Sequence, residues 1–149
     1  MSITASERRL VTLLVEDNPA DVFLIRQAIL SHSLDLDLYV ASDGDQAYEF
    51  IERADNDSES PCPELVLLDL NLPKRSGREV LVRLRQSTGC STVPVVILTS
   101  SDLSDDRKEL STLGANRYFC KPSTYDEFLK IGAVIKELLP ALSNGRTTP

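Results

Sequence analysis

Short apolar runs recur along this chain, separated by segments whose apolar residues return every three or four positions. The runs are "LVTLLVED" at 10–17, "LDLYVAS" at 36–42, "LVLLDL" at 65–70, "VPVVILTS" at 93–100 and "NRYFCKP" at 116–122. Most are too short for helices. Their near-continuous Val, Ile and Leu content suits strands covered on both faces, the signature of a parallel sheet. The segments between them carry helical spacing: Val22, Ile25 and Ile29; Ala47, Phe50 and Ile51; Val80, Leu81 and Leu84; Leu103, Leu110 and Leu113; Phe128, Ile131, Ile135, Leu138 and Leu139.

The punctuation agrees. Asn18 followed by Pro19 reads as an N-cap and first helical position, with Asp21 adding favourable charge to the first turn. Gly114 is a C-terminal stop before the fifth strand, and Pro140 is expected to end the final helix. Strand and helix patterns alternate five times, which implies an α/β fold with a doubly wound parallel sheet and right-handed crossovers. Residues 1–149 are expected to form a single domain, its core spanning about 10–140, with loose ends at 1–9 and 143–149. The one compositional break is "ADNDSESPCPE" at 54–64, an acidic, Pro-containing loop before the third strand.

Composition narrows the function classes. Hydrophobic residues at 42% and charged residues at 26% fit a globular domain, and no apolar stretch approaches the ~20 residues that span a bilayer. The start, "MSITASERRL", has no apolar signal-peptide run, so a cytoplasmic location is expected. A formal net charge of -7 disfavours nucleic acid and anionic membranes as partners. Cys62, Cys90 and Cys120 are odd in number and lack CxxC spacing, so they read as structural or incidental thiols rather than a disulfide framework or zinc site. His32 is the only histidine and stands among Ser31, Ser33 and Asp35, which leaves a histidine-based triad without support.

The chemistry is at the strand ends. In a doubly wound sheet, ligands bind beyond the carboxyl ends of the strands. Those ends carry Glu16 and Asp17, Asp69, Thr99 and Ser100, and Lys121 followed by Pro122. Carboxylates packed together repel, and Lys121 supplies only one compensating charge. A hard cation such as Mg2+ would supply two and accept carboxylate and carbonyl oxygens, the Asn71 carbonyl among them, with water in its remaining positions. Mg2+ also favours phosphoryl oxygens, which points to phosphate chemistry. Asp69 is then placed as a nucleophile toward phosphorus, with Lys121 neutralising the transferred group and the Thr99 hydroxyl donating to a phosphoryl oxygen. Pro73 and Gly77 turn the chain into the next helix.

These segments resemble the receiver domains of two-component response regulators over about Leu10 to Leu139. "LLVEDN" is similar to the family's acidic pair, at Glu16 and Asp17, and "LVLLDLNLP" to its phospho-acceptor segment, at Asp69 with Asn71 two residues later. "VVILTSS" resembles the switch-hydroxyl strand with Thr99, and "GANRYFCKP" the ending that carries Lys121, with Tyr118 on the switch-aromatic position. The resemblance implies a flavodoxin-like sheet of order 2-1-3-4-5 with five helices. It implies phosphoryl transfer from a histidine kinase to Asp69, assisted by Mg2+ held by Asp17, Asp69 and the Asn71 carbonyl with Glu16 acting mostly through water, after which Thr99 and Tyr118 shift inward and remodel an interaction face. Asn71 and Ser101 resemble positions at which the family tunes phosphoryl lifetime. "VEDNPADVFLIRQAI" and "DLNLPKRSGREVL" are similar to stand-alone regulators that serve bacterial phytochromes, which implies a bacteriophytochrome kinase as partner and a homodimer through the switch face.

Two other classes compete. A phosphatase of the aspartyl-phosphate type has a related sheet but needs a second acid two residues after its nucleophile, where this chain has Asn71. A nucleotide- or flavin-binding module would need a glycine loop after the first strand, and none is there.

Overall fold

The computed structural model describes residues 9–100 and 106–147, with side chains through Leu139. The expected loose residues 1–8, 148 and 149, the helix position Leu103 and the tuning position Ser101 lie outside the described residues. The elements follow the order β1 (Leu10–Val15), α1 (Pro19–Ser31), β2 (Leu36–Ala41), α2 (Gly44–Asn56), β3 (Leu65–Asp69), α3 (Gly77–Arg85), β4 (Val95–Thr99), α4 (Arg107–Thr112), β5 (Arg117–Cys120), α5 (Tyr125–Phe128) and α6 (Ile131–Thr147). All strand pairs are parallel, in the order β2-β1-β3-β4-β5. The fifth helical region is therefore a single turn, α5, followed after Leu129 and Lys130 by the long α6.

Strand alternation divides the core into two layers. Leu13 and Val15 of β1, Val66 and Leu68 of β3, and Val95 and Ile97 of β4 pack with α2, α3 and Leu110 of α4. Leu14, Leu65, Leu67, Val96 and Leu98 point to the other face, against Ile25 and Ala28 of α1 and Phe128, Ile131 and Ile135 of α5 and α6. β3 and β4 are buried at every position, as strands covered on both faces require. The edge strands depart from that expectation. Tyr39 and Val40 of β2 are exposed, and Tyr39 packs its ring on Phe50 with centroids 5.6 Å apart.

Helix ends follow local chemistry. Asn18 caps α1 by accepting from the Ala20 N–H, and Ser76 and Glu79 form a full capping box on α3. Gly114 takes φ +102 just beyond α4, a conformation that suits glycine.

Two sequence expectations are corrected. The final helix does not stop at Pro140 but continues to Thr147, so residues 143–147 are helical; proline removes one backbone donor there without ending the helix. Cys62 and Cys90 are joined as a disulfide, with Cα atoms 5.7 Å apart. Pairing was invisible in the spacing because it follows from topology. β3 and β4 are parallel neighbours with Val66 opposite Val95, so the segments leading into them meet at the same end of the sheet. Cys120 is exposed and lies outside the disulfide. No helix among the described residues is long and apolar enough to cross a membrane.

Candidate functional site

The carboxyl ends of β1, β3 and β5 converge. Extending the strand alternation one residue past β1 and β5 sends Glu16, Asp69 and Lys121 toward the face covered by α1. The outcome is a buried ionic cluster. Lys121 Nζ donates to Glu16 Oε1 at 2.6 Å, to Asp21 Oδ2 at 2.8 Å and to Asp69 Oδ2 at 3.0 Å. Three donors thus meet three carboxylates. Glu16 is 1% exposed and Asp69 5% exposed, whereas Asp17 stands in solvent.

Backbone donors hold the acids in place. The Asn71 N–H donates to Asp69 Oδ1 at 2.9 Å, and the Asn18 N–H donates to Glu16 Oε2 at 3.2 Å. Gly77 lies so close behind Asp69 that a β-carbon there would overlap the Asp69 carbonyl and the Leu70 backbone, so only glycine allows α3 to start at this point. The intervening loop is tied to the start of α2. Arg75 pairs with Asp45 at 2.9 Å and lies 4.1 Å from the centre of the Tyr48 ring, while Lys74, at φ 71, reaches Asp43 at 3.6 Å.

Electrostatics within the cluster are unequal. Burial pushes the Glu16 carboxyl up to about 7, with Lys121 opposing the rise and Asp69 adding to it. Burial would lower the Lys121 ammonium, but hydrogen bonds to Asp21, Glu16 and Asp69 outweigh it and hold the ammonium above its ordinary range. Glu16 does not fall as a simple ion pair would require. One ammonium shared among three acids cannot offset the loss of water around a fully buried carboxyl.

Two residues of the expected switch lie on the opposite face from Lys121. Thr99 is fully buried at the end of β4, which neighbours β3, and Ile97 is opposite Tyr118 in the β4–β5 ladder. The Tyr118 hydroxyl donates to the Arg107 carbonyl at 3.1 Å, and the Arg107 guanidinium lies 5.1 Å from the centre of its ring.

Residues 12–132 match the model of the response regulator receiver domain. The chain belongs to that family. The receiver is 38% identical to the response regulator Rcp1 of Synechocystis sp. over 121 residues, 81% of this chain and 82% of Rcp1. Its fold superposes on the Mn2+-bound form of Rcp1 with a TM-score of 0.76, at 36% identity, covering 87% of this chain and 94% of that one. The phosphorylated cyanobacterial phytochrome response regulator RcpA gives a TM-score of 0.78 at 32% identity, covering 88% and 94%. The bacteriophytochrome response regulator RtBRR gives 0.72 at 37% identity, covering 88% and 78%.

The receiver's acids suit a divalent cation. Glu16, Asp17 and Asp69 each offer a carboxylate oxygen, and these atoms lie within 4.8 Å of one another. The donors are hard oxygens, and three carboxylates around the single Lys121 ammonium leave the cluster short of positive charge. Asp21 is the member that sequence reading missed, having treated it as a helix-terminus charge. Its signal was the position itself: an acid in the first turn of a helix that starts two residues after the acidic pair.

Proposed function

We propose that this chain is a stand-alone response regulator that accepts a phosphoryl group from a sensor histidine kinase onto Asp69, with Mg2+ as cofactor. The observation that carries the reading is the Lys121 ammonium between Glu16 and Asp69, beside acids spaced to share a cation. An Asp69 oxygen attacks phosphorus, the P–N bond of the kinase phosphohistidine breaks, and its electron pair returns to the imidazole, which takes up a proton. Bound Mg2+, held by Asp17, Asp69 and the Asn71 carbonyl with Glu16 acting through water, would supply charge neutralisation at the phosphoryl oxygens. Lys121 neutralises the transferred group from the α1 side, and the Thr99 hydroxyl donates to a phosphoryl oxygen.

Signal output then runs through Thr99 and Tyr118. Tyr118 leaves its hydrogen bond to Arg107 and moves inward, altering the face of α4, β5 and α5. A homodimer through that face is the expected consequence, in the cytoplasm, with neither nucleic acid nor membrane as partner. Relatives named as phytochrome response regulators favour a bacteriophytochrome as the kinase.

Incubation with labelled acetyl phosphate and Mg2+ tests the reading. One phosphoryl group per chain is expected, absent in Asp69→Asn, with no sustained hydrolysis of small phosphate esters. Sustained turnover would instead favour the phosphatase class, and equal labelling of Asp69→Asn would reject the acceptor.

A further inference from the structure

We propose that Asp21 is a positioning residue for Lys121, fixing the ammonium beside Asp69 through a contact that takes no part in cation or phosphoryl binding. This rests on the reading of Asp69 as the phosphoryl acceptor. Lys121 carries three N–H donors, and its acceptors are Glu16, Asp21 and Asp69. Glu16 and Asp69 are also two of the three acids spaced to share a cation, so their charge is claimed by whatever binds there. Asp21 is outside that group. Among the described residues its carboxylate pairs with Lys121 alone, and it is the outermost partner, with its side chain 18% exposed against 0% for Glu16 and 7% for Asp69.

The helix start is arranged to leave Asp21 available. An acid at the third helical position ordinarily reaches back to the N–H of the capping residue, as Glu79 does to Ser76 on α3. On α1 the capping Asn18 N–H is taken by Glu16 Oε2 instead. Asp21 is thereby freed from capping and turns to Lys121, 100 positions away in sequence. One buried acid, Glu16, serves both the helix cap and the lysine, and this arrangement locks α1, β1 and β5 into one unit around the ammonium.

Without Asp21, one ammonium hydrogen faces solvent and the side chain is held from the inner side alone. Nuclear magnetic resonance of the Lys121 15Nζ group reads this directly in the protein without added metal. A resolved, slowly exchanging ammonium signal is expected in the wild type, assigned by its absence in Lys121→Ala. It should be lost in Asp21→Asn and retained in Asp21→Glu. Labelling from acetyl phosphate with Mg2+ should slow by roughly ten- to a hundredfold in Asp21→Asn and recover in Asp21→Glu. An Nζ signal absent from the wild type or unchanged in Asp21→Asn, or Asp21→Asn labelling at the wild-type rate, would overturn the role. A wild type that takes up no label at all would instead reject the phospho-acceptor reading, while the Nζ signals still decide whether Asp21 holds Lys121.

Discussion

Lys121 donates to Glu16 Oε1 across 2.6 Å, joining the end of β5 to the end of β1. Removing the ammonium leaves a fully buried acid without its counter-charge. In the absence of divalent metal, Lys121→Met is expected to lower unfolding free energy by about 1–3 kcal/mol at pH 8. At pH 6 the loss should shrink, because Glu16 can take up a proton. Denaturant titrations at the two pH values check this, and an equal loss at both would show that the pair is not what the lysine stabilises.

Glu16 is expected to give the proposed cation site a pH dependence. Its carboxyl titrates near 7 in the fold against an ordinary value of 4.5. The folded value is raised, so this group favours the metal-free fold fully below about 4.5 and loses that contribution as pH rises through about 7. Cation binding runs the other way, since it needs the ionised carboxylate. Calorimetric Mg2+ affinity should therefore increase from pH 6 to 8, and Glu16→Gln should flatten the profile. A profile unchanged in Glu16→Gln would assign the titration to another group.

The disulfide closes a separation of 28 residues. In the chain-entropy picture that loop contributes about 3–4 kcal/mol by restricting the unfolded chain. Reduction by a dithiol is expected to lower Tm by roughly 10 °C. Cys62→Ser/Cys90→Ser should match the reduced protein and show no further response to reductant. Identical melting of the oxidised and reduced wild type would contradict a stabilising bridge.

The legible part of this molecule was its period. Strands buried on both faces read as unbroken apolar runs, so β3 and β4 could be placed within a residue or two, and Asp69 and Thr99 with them. The edge strands follow a weaker rule because β2 shows part of its length to solvent. Asp21 and the Cys62–Cys90 bridge were not legible for a shared reason. Each depends on which chain segments the sheet order makes neighbours: α1 above the ends of β1 and β5, and the lead-ins of β3 and β4 side by side. Alternation carried past the strand ends would have pointed Glu16, Asp69 and Lys121 to the α1 face and so to Asp21. Pro140 was misread because a proline costs a helix one hydrogen bond, which a long helix can absorb.

The central claim is that Asp69 itself carries the phosphoryl group. Its most direct test is borohydride reduction of protein treated with acetyl phosphate and Mg2+, followed by peptide mass spectrometry, because hydride converts an acyl phosphate on aspartate to homoserine. Homoserine at position 69, lost when Mg2+ is chelated, is the expected result. Homoserine at another acid, or an unmodified Asp69 in protein that has taken up label, would contradict it.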